Sequence, residues 1–154
     1  MTNNEQVLEI ISVNISAEKG VVKNATKSAL INKMGIDGDA HSGDWHRQIS
    51  LLAEESVKRF EKIIGRKLEY GIFAENLTTR GVELRECKIG DRFVGSEVVL
   101  EVTQIGKKCH GTGCAIHQAV GSCVMPVEGI FCKVISGGKI ESGTRFRYVR
   151  VSLQ

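Results

Sequence analysis

Apolar and polar positions alternate along residues 7–16, VLEIISVNIS, with Val7, Glu9, Ile11 and Val13 facing one way and Leu8, Ile10 and Ser12 the other. A two-residue period is the signature of an extended strand, and apolar residues on both sides predict a strand with neighbours on either edge. KSALINKMGIDGDA, residues 27–40, offers a second short strand that ends in a turn around Gly35 and Gly38. QISLL then feeds the one stretch with helical spacing, AEESVKRFEKIIG, in which Val57, Phe60, Ile63 and Ile64 predict an apolar face. Glu54 and Glu55 suit the positive end of that helix, and Gly65 suits its stop. From residue 88 onward the runs DRFVG, EVVLEVTQI, IFCKVIS and TRFRYVRVSL all read as strands. Gly137-Gly138, in ISGGKI, predicts a two-residue hairpin turn between two of them, and CAIHQAV a short helical turn before Gly121.

These elements predict a mainly β, barrel-like fold with one clear helix and short helical turns. Residues 1–154 contain no internal repeat, low-complexity tract or linker, which argues for a single domain. Seventeen glycines against one proline, Pro126, supply the punctuation that such a β-rich chain needs. A hydrophobic fraction of 42% and a charged fraction of 25% are ordinary for a globular protein. The formal charge of +3 is small and its lysines and arginines are scattered, so no nucleic-acid partner is expected. No apolar run approaches the roughly 20 residues of a membrane span, and the polar start MTNNEQ lacks the features of a secretory leader. Five cysteines cannot all pair within one chain; the expectation is a cytoplasmic protein that keeps them as thiols.

Three polar stretches punctuated by glycine interrupt the strand pattern: GIDGDAHSGDWHRQ (35–48), GIFAENLTTRG (71–81) and GKKCHGTGCAIH (106–117). Loops at one end of a barrel are where binding groups are held on a rigid scaffold. In the third stretch Cys109, Cys114 and His117 have C-x4-C-x2-H spacing, and Cys123 could complete a four-ligand zinc site. A reactive thiol is the competing reading. Lys107 and Lys108 precede Cys109 and His110 follows it, and positive neighbours favour the thiolate that serves as nucleophile or soft-metal ligand. Cys132 lies in an apolar strand run, where cysteine is usually a small core residue, and Cys87, in LRECKIG, has no setting comparable to that of Cys109. The first stretch contributes Asp39, His41, Asp44, His46 and Arg47, whose spacing fits no established ligand motif. In the second, Glu75, Asn76, Thr78 and Thr79 are side chains that commonly serve turns.

Taken in order, GIDGDAH…HRQISLL, GIFAENLTTRG, KIGDRF and VVLEVTQIGKKC resemble MOSC domains, named for the C-terminal domain of molybdenum-cofactor sulfurases. The resemblance runs from about Ile11 to Phe146 and is to the short, stand-alone bacterial form. It implies a barrel-like fold and handling of the molybdenum cofactor (molybdopterin), an anionic pterin dithiolene. It aligns Cys109 with the family's signature cysteine, a metal ligand or sulfur carrier, and so makes it the implied catalytic and metal-binding residue. It makes His46, Arg47, Asn76, Thr78, Lys107 and Lys108 the implied cofactor-binding residues. Without an aminotransferase-like domain, no pyridoxal phosphate is expected.

The leading functional expectation is therefore a carrier or maturation factor for the cofactor or its sulfur, with cofactor-biosynthesis proteins or molybdoenzymes as partners. The alternative is a molybdenum-dependent reductase of N-oxygenated small molecules, which would need an external electron-donor protein. A module built on structural zinc at Cys109, Cys114, His117 and Cys123 stands third.

Overall fold

The computed structural model describes residues 6–19, 21–106 and 128–151. Strand β1 (Val7–Ile15) pairs with four-residue β6 (Leu77–Arg80) on one side and with β11 (Arg145–Val149) on the other. From β11 the hydrogen bonding continues through β7 (Arg92–Val94), β8 (Val99–Ile105), β9 (Ile130–Ser136) and β5 (Ile49–Ala53) back to β6. The seven strands close into a barrel, so none is left as a free edge. Every pairing in this ring is antiparallel except β5 with β6. A parallel pair needs a crossover, and helix α1 (Glu54–Ile64) supplies it. Short β2 (Asn24–Thr26) extends the far end of β1, and β3 (Ser28–Asn32), β4 (Gly35–Ile36) and β10 (Gly138–Glu141) form a small second sheet. The mainly β, barrel-like expectation holds.

Inside the barrel lie Leu8, Ile10, Ile49, Leu51, Leu77, Phe93, Leu100, Val102, Ile130, Cys132 and Phe146, all essentially inaccessible. Val13 joins them, although simple alternation puts it on the opposite side from Leu8 and Ile10. The reason is a shift in register between Ile10 and Ser12, where β1 carries one extra residue against β6. All five residues of β5 are buried, because Ile49 and Leu51 face the barrel interior while Leu52 faces α1. Leu52, Val57, Leu68, Phe73, Ala74 and Phe131 form that second cluster, closed from outside by Phe60, Ile64 and Ile72. Helix α1 ends at Gly65, whose left-handed backbone (φ 76°) lets its N–H reach the Glu61 carbonyl.

Three local expectations need correction. Ile63 does not belong to the apolar face of α1 and is 78% exposed, because six residues of helix rotate it away from Val57. Gly137-Gly138 is not a hairpin turn: β9 pairs with β5 and β8, whereas β10 pairs with β3, so the chain passes from one sheet to the other. A Cβ on Gly137 would lie 2.3 Å from the Ile31 carbonyl oxygen, and that close approach explains its glycine. The stretch 71–81 is not simply a polar loop, since four of its residues form β6 within the barrel wall. The short helical turn expected at CAIHQAV lies outside the described residues.

Candidate functional site

The stretch 35–48 is fastened at both ends by buried polar side chains. Near its start, Asp39 accepts hydrogen bonds from the backbone N–H of Ser16 (3.1 Å) and of His41 (2.9 Å). It also forms an ion pair with the Lys23 ammonium at 2.8 Å, and both side chains are almost wholly buried. Burial raises the Asp39 pKa, but the Lys23 and backbone bonds outweigh it and leave the carboxyl below its ordinary value. At the other end Gln48 donates to the carbonyls of Lys33 and Gly43 and accepts from the Val134 N–H. Between these anchors the chain turns outward.

Trp45 is the centre of what it presents. Its indole N–H donates to the His41 carbonyl (2.8 Å), which fixes the ring. The Arg47 guanidinium stacks 4.7 Å from the indole centroid, and the Lys19 ammonium lies 5.4 Å from it. Arg47 also sits 5.5 Å from the Phe131 ring. The His41 and His46 rings pack beside the indole at 6.2 and 6.0 Å. The Arg47 Nε is buried and has no hydrogen-bond partner among the described residues. A buried donor left unmade is costly, so this atom is the clearest opening for an external acceptor.

His46 connects the patch to the barrel wall. Its Nε2 lies 2.8 Å from Gln104 Oε1, and Gln104 Nε2 donates to the Gly106 carbonyl at 2.7 Å. Thr103 Oγ1 donates to the His46 carbonyl and lies 3.2 Å from that of Phe131. Strand β8 thus grips the first stretch at the point where it leads into residues 107–127, which lie outside the described residues. Cys109, Lys107 and Lys108, and the proposed zinc ligands Cys114, His117 and Cys123, all fall in that segment.

The second stretch meets the same level of the wall from inside. Gln104 pairs in register with Phe131, Phe131 with Ser50, and Asn76 exchanges hydrogen bonds with Ser50. Asn76 and Thr78, however, are fully buried and committed to one another's surroundings. The Asn76 amide oxygen accepts from the Ser50 N–H (3.0 Å), and its nitrogen donates to the Asn14 carbonyl (3.2 Å). Thr78 donates to Glu75 (2.8 Å) and accepts from Asn14 (3.1 Å). Glu75 further accepts the Gly71 and Phe73 N–H groups, yet burial pushes its pKa above the ordinary carboxylate value. In the described structure Asn76 and Thr78 therefore tie β1, β5 and β6 together, while His46 is exposed and Arg47 half-buried against Phe131. Among the described residues no three His, Cys, Asp or Glu side chains are grouped to hold a metal. Cys87 and Cys132 are buried thiols; burial lifts Cys87 to about 11 and Cys132 well above the usual thiol value.

The sequence reading missed Trp45, Lys23, Lys19 and Gln104. Trp45 is the one tryptophan of the chain and sits between His41 and His46, a signal that was available. Nothing in the sequence marks Lys23 as a buried lysine.

A closed, seven-stranded mixed barrel with a cationic, aromatic loop patch at the end of β8 defines the class of this protein. The sequence profile of the MOSC domain matches residues 37–147, and the chain belongs to the MOSC domain family. It is similar to the uncharacterised protein YflK of Bacillus subtilis (strain 168), 26% identical over 137 residues. That match takes in 82% of this chain but only 61% of YflK's length. Among solved structures, the YuaD protein of Bacillus subtilis superposes with a TM-score of 0.81 at 17% identity, covering 97% of this chain and 99% of that one. YiiM from Geobacillus stearothermophilus gives 0.70 at 21% identity, covering 94% and 75% respectively. At these identities the likeness extends to the fold. Among the described residues no helix is long and apolar enough to cross a membrane.

Proposed function

We propose that this MOSC protein binds the molybdenum cofactor and acts as a carrier or maturation factor for it or for its sulfur, with Cys109 as the soft ligand. The observation that carries the reading is the Arg47 guanidinium, held between Trp45 and Phe131 with a buried Nε that has no partner among the described residues. A fixed cation with an unmade hydrogen bond suits an anionic group such as the phosphate of a pterin dithiolene. Arg47 and Lys19 would hold that charge, and His46 would line the same face. Asn76 and Thr78 support the reading by fixing the wall behind the patch, with their own polar groups already paired. When bound, the cofactor would supply a dithiolene-held molybdenum that accepts a soft sulfur ligand. Its donors and recipients would be cofactor-biosynthesis proteins or molybdoenzymes.

The test is to express the parent, Arg47→Ala and Cys109→Ser in cells that make the cofactor, then to measure molybdenum, pterin, zinc and thermal stability. Arg47→Ala is expected to reduce retention of pterin and molybdenum together, since a charged hydrogen bond is worth about 1.5–3 kcal/mol. Cys109→Ser is expected to lose metal more than pterin while keeping its stability. Stoichiometric zinc in the parent, with stability collapsing on its removal, would overturn the proposal in favour of a zinc-built module.

A further inference from the structure

Gln104 holds two hydrogen bonds whose chemistry determines which ring nitrogen of His46 carries its proton. A backbone carbonyl can only accept, so the Gln104 atom 2.7 Å from the Gly106 oxygen must be the amide nitrogen. The other end of the amide is then an oxygen, which also can only accept. His46 Nε2, 2.8 Å from that oxygen, must therefore be the protonated nitrogen. Turning the amide over would set two oxygens against each other at Gly106 and is ruled out by the same geometry. Neutral His46 is left with its lone pair on Nδ1, in an exposed side chain beside the Trp45–Arg47 patch. Thr103 holds the His46 backbone at the same time, so the ring is positioned from both main chain and side chain.

We propose that Gln104 is a positioning residue that locks His46 as its Nε2–H tautomer, and that Nδ1 is the acceptor for an N–H or O–H group of the ligand seated on the patch. The role rests on the reading of this patch as the ligand side of the protein. A proton leaving that ligand group goes to the Nδ1 lone pair and forms an imidazolium whose Nε2–H remains on Gln104. It then passes from the exposed ring to water. No electron is transferred, and the ligand keeps the bonding pair. The neighbouring Arg47 and Lys19 supply charge but no acceptor, since neither carries a lone pair while protonated. His46 therefore gives the patch a means of recognising a donor as well as an anion.

The experiment is nitrogen NMR of protein labelled with 15N-histidine, using His46→Gln to assign the His46 signals among the four histidines. At a pH where imidazole is neutral, the parent is expected to show Nε2 as the protonated nitrogen and Nδ1 as the bare one. Gln104→Met, which keeps the length and removes both hydrogen bonds, is expected to narrow the difference towards the mixture of free imidazole. Diethyl pyrocarbonate, which attacks a bare ring nitrogen, should carbethoxylate His46 at nearly the rate of free imidazole. A parent protonated on Nδ1, or a folded Gln104→Met protein with unchanged nitrogen signals, overturns the assignment. So does carbethoxylation more than about tenfold slower than free imidazole, because it would mean that the Nδ1 lone pair is already engaged. Molybdenum and pterin measured on the parent report on the cofactor reading separately, because the tautomer is read from the nitrogen signals of the protein alone.

Discussion

Replacing Lys23 with methionine tests whether the first stretch is held by its buried ion pair. The Lys23 and Asp39 side chains are 1% and 0% exposed, and their charged atoms are 2.8 Å apart. Methionine fills most of the aliphatic stem but leaves the Asp39 carboxylate without its cation. Two backbone N–H groups, from Ser16 and His41, still bind it, and these cannot neutralise its charge. Removing one partner of a buried pair typically costs about 3–5 kcal/mol. In a chain of this length such a loss lowers the midpoint of thermal unfolding by roughly 6–20 °C. Urea unfolding followed by far-UV circular dichroism and by Trp45 fluorescence gives the free energy. The indole lies in the stretch at issue, so agreement between the two probes also shows whether the loop unfolds with the barrel.

The cost should depend on pH, in a direction fixed by the ion pair. In the parent, the depressed Asp39 pKa contributes stability that is fully present above the unfolded carboxylate value of about 3.9 and is lost as pH falls through the lower folded value. In Lys23→Met the cation is gone and burial prevails, so the folded pKa moves above the unfolded one. The native state then binds more protons than the unfolded state, and the variant's stability falls as pH rises through that interval. The gap between parent and variant is expected to be largest near pH 7 and smaller near pH 4. Adding Asp39→Asn to Lys23→Met removes the stranded charge and should restore part of the loss. A cost below about 1 kcal/mol at pH 7, a gap that widens in acid, or simple additivity in the double variant would refute the reasoning.

The other consequences concern the core and its backbone. Cys87 and Cys132 should resist alkylation by iodoacetamide at pH 7.5 in the native protein, since burial raises both thiols and holds Cys87 at about 11; peptide mapping reads the result. Gly71→Ala should destabilise by more than about 1 kcal/mol in urea, because φ is 89° there and a Cβ would lie 2.3 Å from the Lys23 carbonyl oxygen. Tyr148→Phe should cost about 1–3 kcal/mol, because the Tyr148 hydroxyl donates to Asp91, which also accepts from the Lys88 and Val151 N–H groups.

The strands most legible in the sequence are those with β-branched alternation over several residues, β1, β8, β9 and β11, while the shorter β3 and β7 are read from brief apolar runs. Strand β6 escaped because its sequence, LTTR, looks like a polar turn. Its Thr78 is tolerated inside the wall because Asn14, from a distant part of the chain, and nearby Glu75 both bond it. Such satisfaction is a property of the assembled barrel and leaves no local trace. The glycine pair at 137–138 misled for the opposite reason: the local signal was strong, but the need it met was close approach to β3.

The candidate site was legible where a side chain's own chemistry drew attention, as at His46 and Arg47, and illegible where the role comes from position. Asp39 and Gln48 are both buried, and each bonds more than one backbone group. Fixing the two ends of a short segment leaves its middle little freedom except to project outward, and every residue of 41–47 is half-buried or exposed. The anchors therefore decide which residues can meet a ligand, although they cannot touch it themselves. The same distinction separates Asn76 and Thr78 from Arg47. All three are polar, but the first two have spent their hydrogen bonds on the fold. Arg47 keeps a buried Nε with no partner among the described residues, and on the proposed reading that donor is what an anionic ligand would meet.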